Sequence, residues 1–285
     1  MYKESILNVV HQIFVFCSMI FLIVVISGLI IFILAIAFSV SQGIVESRSP
    51  STVGNLAEDV VLDCRFLSNS DNEQFNDVSI TWLKDALRGV VYEYKNKAAQ
   101  LQGQNTQFQN RAQLFSDAIS MGNASLLLRN VKLEDEGVYR CSVNAPKVSG
   151  TTSVNLRVAA FSAPTFTRRA DGSLFAQANK WFPQPGVSWL SQSGQLLNSS
   201  TQFINNTAGI MRVVSVLEGP VKEDDTYTCL IQNSLVKAIA EATVTGKIVM
   251  LTEKSRTYFI FSAASTKVSC LQLMFTVILV LSAIQ

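Results

Sequence analysis

Two cysteines and a tryptophan constrain this chain more than any other feature. Cys64 and Cys141 each lie where apolar residues recur at every second position, and Trp82 falls between them on a third such stretch. Val60, Leu62, Cys64 and Phe66 recur at every second residue. So do Val78, Ile80 and Trp82, and later Val154, Leu156 and Val158. Period two with β-branched and aromatic residues marks strands with one buried face. Turn signals separate the strands: Asn69-Ser70-Asp71-Asn72, Gly103, Asp135-Glu136-Gly137 and Lys147-Val148-Ser149-Gly150. Many short strands at regular spacing predict an all-β sandwich.

The order Cys64, Trp82, Cys141 is the immunoglobulin pattern, in which the two cysteines tie the sheets together over the buried indole. A bridge closing a loop of this length contributes about 4–5 kcal/mol in the chain-entropy account. Tyr139 stands two positions before Cys141, where a tyrosine corner belongs, so its hydroxyl is expected to bond back to the backbone upstream. Arg111 precedes a strand running from Ala112 to Phe115 and is placed to pair with Asp135 across the bottom of the sandwich. Between Trp82 and Arg111 the stretch containing Gly89 to Lys95 leaves room for two added strands. The first unit, residues 52–158, is therefore expected to be V-type, with nine strands.

A second unit, residues 164–246, repeats the theme with no room for extra strands, as in a C-type domain. Leu174, Ala176 and Ala178 alternate, Trp181-Phe182-Pro183-Gln184-Pro185 makes a stiff turn, and Trp189 follows. Ile210, Arg212, Val214 and Val216 alternate with Met211, Val213, Ser215 and Leu217. Tyr227 and Cys229 close the pattern. The cysteine that should precede Trp189 by about a dozen residues is replaced by Ala176. Cys229 is left without an obvious mate. It reads either as a buried thiol that packs like a small hydrophobe or as a cysteine available to another chain. The unit lacking a bridge is expected to be the less stable of the two.

Both ends are apolar, and they hold much of the 48% of hydrophobic residues in a chain with only 15% charged ones. Residues 13–40 carry no charge and exceed the roughly 20 residues that cross a bilayer. Ala35-Ile36-Ala37 has the small-x-small form of a signal-peptidase site. Residues 1–43 therefore read as a signal peptide or as a signal anchor. A stretch at 247–267 reads as a stalk. Residues 268–285 read either as a transmembrane segment or as a glycolipid-anchor signal, with Ser262, Ala263, Ala264 and Ser265 able to host attachment. Either pairing delivers the middle of the chain outside the cytosol.

Several function classes lose support. A net charge of +2 gives no basic nucleic-acid footprint. The single histidine, His11, removes His-dependent triads from the folded part and disfavours a His-rich zinc site. No phosphate-cradling glycine loop, Cys-x-x-Cys or calcium-loop pattern occurs. The acid pairs Glu58-Asp59, Glu134-Asp135 and Asp224-Asp225 sit in turns, where solvated carboxylates are routine. No catalytic residue, metal ligand or cofactor is expected. Asn123, Asn198 and Asn205 each begin an Asn-x-Ser/Thr triplet, which outside the cytosol marks a glycosylation acceptor.

The sequence resembles the butyrophilin-like co-signalling ligands. The likeness is carried by Ile80-Thr81-Trp82-Leu83-Lys84, by Gly89 to Lys95, by Met121 to Val131, and by Asp135 to Cys141. Trp181-Phe182-Pro183-Gln184-Pro185 with Val187-Ser188-Trp189 is similar to the start of their constant domain. The likeness covers both folded units and departs from the family at Ala176. It implies a ligand held at the cell membrane and facing outward. Such a ligand dampens T-cell activation by binding a protein receptor on the T cell, with no nucleic acid and no small-molecule substrate involved. The runner-up reading is an adhesion protein that uses the same sheet to pair with itself on a facing cell.

Strand parity locates a binding face. Residues out of phase with Trp82 and Cys141 point to solvent, which selects Thr81, Leu83, Arg140, Ser142 and Asn144. The loop Ala145-Pro146-Lys147-Val148 caps that sheet at the membrane-distal tip. Leu83, with Tyr92 or Tyr94 nearby, is expected to serve as an apolar anchor of the kind interfaces favour. The three triplets yield the first test. Treating the surface protein with peptide-N-glycosidase should increase its gel mobility, and unchanged mobility would remove the glycosylation reading.

Overall fold

The computed structural model describes residues 18–34, 43–68, 75–169, 171–245, 248–250 and 257–262. Residues 18–34 form a helix, α1, whose large apolar side chains are exposed. Among the described residues no helix is long and apolar enough to cross a membrane. The remainder of the terminal runs lies outside the described residues, including Cys17, the Ala35-Ile36-Ala37 triplet and everything from Ala263 onward.

From residue 43 the chain is built of strands. The first unit contains β1 (Ile44–Glu46), β2 (Ser51–Asn55), β3 (Val60–Leu62), β4 (Arg65–Leu67), β5 (Ser79–Lys84) and β6 (Tyr92–Lys95). It continues with β7 (Ala98–Ala99), β8 (Ala112–Leu114), the short helix α2 (Ser116–Ile119), β9 (Leu126–Leu128), β10 (Gly137–Ala145) and β11 (Val148–Ala159). One sheet runs in the order β2-β11-β10-β5-β6-β7 and the facing sheet β3-β9-β8, while β1 pairs with β4. The strands β6 and β7 occupy the stretch between Trp82 and Arg111, which makes this sandwich V-type.

Its core is organised around the bridge. Cys141 lies directly opposite Trp82 in the β10–β5 pair, so both side chains enter the core from one sheet. Cys64, in the gap between β3 and β4, enters from the other sheet and is bonded to Cys141 across a Cα separation of 6.5 Å. Trp82 is fully buried and its Nε1–H donates to the Ala124 carbonyl at 2.9 Å, which satisfies the one polar atom of the indole. Leu62, Phe66, Ile80, Phe108, Leu126, Leu128 and Leu156 complete the packing. Gly122 is required where it stands: its φ is +86°, and a Cβ there would lie 2.2 Å from the Phe66 carbonyl oxygen.

The second unit contains β12 (Thr165–Arg168), β13 (Leu174–Trp181), β14 (Gly186–Leu190), β15 (Leu196–Leu197), β16 (Ser199–Asn205), β17 (Met211–Leu217), β18 (Thr226–Gln232) and β19 (Val236–Thr245). Its sheets are β12-β13-β17-β16 and β15-β14-β18-β19. The logic of the first core repeats with one substitution. Trp189 lies opposite Cys229, both fully buried. Ala176, buried on β13, occupies the position of the missing cysteine. Trp189 donates to the Ser215 hydroxyl at 2.9 Å, and Ser215 is in turn bonded to the Thr201 hydroxyl. The Tyr227 hydroxyl accepts from the Lys222 backbone N–H at 3.0 Å. Cys229 is free, and burial pushes its thiol up to about 12, so it stays protonated and inert at neutral pH. The reading of Cys229 as a cysteine available to another chain therefore does not fit its place in the core.

The stretch expected to be a stalk is, in its described parts, strand. β20 (Ile248–Met250) and β21 (Tyr258–Phe261) both pair antiparallel with β19. They extend the second sheet at its edge and carry the chain back toward the first unit.

The two sandwiches meet at a short, buried joint. Ala159 and Ala160 are fully buried, and Ala160 exchanges backbone hydrogen bonds with Phe182 at 3.0 and 2.8 Å. The Asn55 side chain donates to the Phe161 carbonyl and accepts from the Phe161 N–H, each at 3.1 Å. Lys180 Nζ reaches the Leu56 carbonyl and the Glu58 carboxylate, both at 3.1 Å. The Phe161 ring packs against Phe259 and Phe261 of β21, with centroids 5.0 and 5.6 Å away.

A second test follows from Ala176. In calorimetry the C-type unit should melt at lower temperature than the V-type unit. Ala176→Cys should bridge to Cys229 and raise that lower transition by roughly 10 °C or more, since a loop of this size contributes about 4 kcal/mol before strain. A free Cys229 in the Ala176→Cys protein, or a V-type unit that melts first, would contradict the reading.

Candidate functional site

The register of the large V-type sheet fixes what it shows to solvent. Directly paired residues in antiparallel strands share a face. Thr81 lies opposite Ser142 on one side and Glu93 on the other, and Ser142 lies opposite Thr151. These residues form an outward row Glu93–Thr81–Ser142–Thr151 across four strands. The next row joins Leu83, Arg140 and Ser153. Asn144 and Ser149 form a third toward the tip. The face is thus mostly hydroxyl, amide and charge, with Leu83, 39% exposed, as its apolar member. Between the rows lies an open depression of about 460 Å³ lined by Thr81, Glu93, Lys95, Ser142, Asn144 and Thr151.

One expected anchor is placed differently. Tyr92 lies opposite Trp82, and Tyr94 opposite Ile80, so both tyrosines belong to the core side of the sheet. Both are partly buried against the core, and burial raises the Tyr92 phenol above its ordinary range. Tyr92 is therefore not an outward aromatic. The residues between and beside the tyrosines, Glu93 and Lys95, face solvent instead. Glu93, Lys95, Ser149, Thr151 and Ser153 are members of the face that sequence reasoning missed. Alternation along β11 (Ser149, Thr151, Ser153 against Gly150, Thr152, Val154) carried the signal for three of them.

Arg140 is held by Asp85, with Nε–Oδ1 at 2.9 Å and Nη2–Oδ2 at 3.0 Å. Both side chains are well exposed, so this pair contributes at most about 1 kcal/mol to stability. It presents a guanidinium that another carboxylate can compete for. At the tip, β10 and β11 are joined by Pro146 and Lys147, with Ala145 opposite Val148. Lys147 takes a φ of +65° there, at the turn and exposed. Gly43 docks beside it, donating its N–H to the Lys147 carbonyl at 2.9 Å.

The opposite end of the same sandwich is locked by a buried ion pair. Arg111 Nη1 and Nη2 contact the two carboxylate oxygens of Asp135 at 2.8 Å each. Asp135 is fully buried and also accepts from Gln107 Nε2 at 2.8 Å and from the Lys132 N–H at 2.9 Å. Burial alone would raise the Asp135 carboxyl, but the bonds from Arg111, Gln107 and Lys132 outweigh it and hold it below the usual range. The Tyr139 hydroxyl donates to the Asp135 carbonyl at 2.7 Å, and burial raises that phenol. This cluster is structural: its polar groups are turned inward and spent on one another.

None of the sequons lies on the exposed face. Asn123 bridges to Arg65, next to the smaller sheet of the V-type unit, and its side chain accepts from the Ser125 N–H. Asn198 and Asn205 are exposed at the two ends of β16 in the C-type unit. Among the described residues no cluster of His, Cys, Asp and Glu could hold a metal ion.

Comparison with known proteins agrees with this architecture. The Immunoglobulin V-set domain family matches residues 47–159. The family described as Butyrophilin subfamily 3 member A2-like, Ig-C domain, matches residues 168–240. The chain is 35% identical over 239 residues to V-set domain-containing T-cell activation inhibitor 1 of Rattus norvegicus, covering 81% of this chain and 83% of the relative. It is 35% identical over 238 residues to the Homo sapiens protein of that name, with the same coverage. A CD276 antigen homolog of Xenopus laevis is 31% identical over 208 residues, covering 68% of this chain and 67% of the relative.

The ion pair gives a prediction with a definite sign. A depressed folded-state pKa means stability that is complete above the unfolded carboxyl range and lost as pH falls through the folded value. The V-type melting temperature should therefore drop as pH is lowered below about 4. Asp135→Asn should lower stability at pH 7 and flatten that acid limb. An acid limb of undiminished steepness in the variant would assign the pH dependence elsewhere.

Proposed function

The chain belongs to the butyrophilin-like family of the immunoglobulin superfamily that includes V-set domain-containing T-cell activation inhibitor 1, and on that premise we propose that it is a cell-surface ligand that binds a protein receptor on T cells and restrains their activation. The observation that carries the reading is the open face of the large V-type sheet. It is rich in hydrogen-bonding groups, holds an open depression and is clear of every sequon. Arg140, whose pair with Asp85 is too exposed to stabilise the fold much, supplies a cationic group at one end, and Lys147, exposed at the tip, supplies another. Thr81, Ser142 and Asn144 supply directional hydrogen bonds between them, and Leu83 supplies apolar area. A polar face of this kind suits a transient cell–cell contact better than a permanent assembly.

The proposed chemistry is binding, because the relatives that place the chain in its family are named for inhibiting T-cell activation. In this proposal the N-terminal apolar run delivers the chain, the run from residue 268 holds it at the membrane, and the V-type unit is the end presented to the T cell.

The test is charge reversal on intact cells. Arg140→Glu and Lys147→Glu should each reduce T-cell binding by about tenfold, the scale of a single interface anchor, with antibody staining of the surface protein unchanged. Unchanged binding by both variants would discard this face. A chain that antibody finds only inside permeabilised cells would discard the surface location.

A further inference from the structure

The V-type face does not exhaust the exposed surface. The C-type unit holds an open depression of about 920 Å³, and both of its sheets contribute to the wall. Leu196 and Leu197 come from β15 and Tyr227 from β18 of one sheet, while Leu217 comes from β17 of the other. Asn198 also lines the depression, exposed, where the chain crosses from β15 to β16 and so from the first sheet to the second. Its carbonyl accepts from the Glu218 N–H at 3.0 Å, which holds it beside the end of β17. Leu196, two residues earlier, is 69% exposed. One exposed leucine means little by itself. Here it shares a concave wall with three other apolar side chains and a glycan acceptor.

The lining selects a sugar tethered to the wall. An N-acetylglucosamine ring has an apolar C–H face and a rim of hydroxyl and acetamide groups, so it needs a surface that offers both. The leucines and Tyr227 offer the first. Lys222 and Asp225 offer the second: they line the same depression, and neither makes an ion pair among the described residues. The first sugar is joined to the Asn198 side-chain nitrogen, so it meets the wall at the high effective concentration of a tethered group. A free partner has to displace it to enter. The unit also has a use for the contact. Ala176 leaves its sheets without the covalent tie that joins those of the V-type unit. A sugar resting on β15 and β17 together lies on both sheets, and opening the sandwich returns the ring and the leucines to water.

We propose that the N-acetylglucosamine stem of the Asn198 glycan is seated in this depression and clamps the two sheets of the C-type unit. The proposal rests on Asn198 carrying its glycan. It is separate from the T-cell reading, because it uses the other sandwich and no residue of the V-type face.

Calorimetry on the full-length chain, solubilised from cells that make only high-mannose glycans, tests it once mass mapping has read the occupancy of Asn198. Ser200→Ala removes the sequon and leaves Asn198 and the whole lining in place; Ser200 is exposed and pairs with β17 through its backbone. In that variant the C-type transition should fall by about 5 °C, whereas Thr207→Ala, which removes the Asn205 glycan, should leave it within about 1 °C of the wild type. Endoglycosidase H, which leaves a single sugar on each asparagine, should preserve most of the wild-type transition. Leu196→Ser separates the contact from the bulk of the glycan. It should lower the transition in the glycosylated chain and leave it unmoved in the Ser200→Ala chain. An unoccupied Asn198 in the mass map would remove the sugar and the proposal with it. With Asn198 occupied, a Ser200→Ala transition no lower than that of Thr207→Ala would overturn the seating itself. So would a Leu196→Ser loss equally large with and without the glycan.

Discussion

The bond between Cys64 and Cys141 is the constraint from which the V-type unit is built. It joins the two sheets at one point, and Trp82, opposite Cys141, fills the space beside it. With those side chains fixed inward, strand alternation leaves no choice about what points outward. Thr81, Leu83, Arg140 and Ser142 are on the open face because Trp82 and Cys141 are not. A slip of one residue would bury Arg140 and expose the indole, so the core specifies the binding surface as strictly as it specifies itself. The Arg111–Asp135 pair and the Tyr139 hydroxyl then secure the end away from Lys147, leaving the tip free to carry function.

The C-type unit shows what that constraint costs to omit. Ala176 and Cys229 sit in the same core without a bond, and the tryptophan keeps its place through hydrogen bonding to Ser215. Packing and that cross-sheet hydrogen bond hold the sheets there in place of a covalent tie. The unit gains support from its neighbour instead: Asn55, Glu58 and Lys180 tie the joint, and Phe161 is packed against the aromatic side chains of β21. Stability in the second sandwich is thus partly a property of how it is joined to the first.

Much of this was legible in the sequence because the informative residues are local and periodic. The cysteines, Trp82, Trp189, Tyr139 and Tyr227 announce strands and their inward phase, and the gap before Arg111 announces β6 and β7. Tyr92 was harder: its phase depends on which residue of β5 it meets, and a short strand of Tyr-Glu-Tyr-Lys does not reveal its partner. The edge strands β20 and β21 left no alternation to read, since Tyr258–Phe261 is apolar throughout and pairs with a strand far behind it. The joint was invisible for a different reason. Its hydrogen bonds join groups more than a hundred positions apart, such as the Asn55 side chain with the Phe161 backbone, and no periodic signature marks them.

The path of β21 sets how the molecule bears load. It runs antiparallel along β19 and ends beside Leu235, where the Ser262 N–H donates to the Leu235 carbonyl. The chain therefore leaves the second sandwich near its junction with the first, not at its far end. Tension applied through the residues that follow, directed away from the V-type unit, meets the β19–β21 ladder at its last rung. Hydrogen bonds loaded in that direction open singly, as in a zipper, at far lower force than strands sheared along their length. Traction on the tail would peel Phe261 and Phe259 from the Phe161 ring before either sandwich is strained, which makes the joint the first part of the molecule to register a pull.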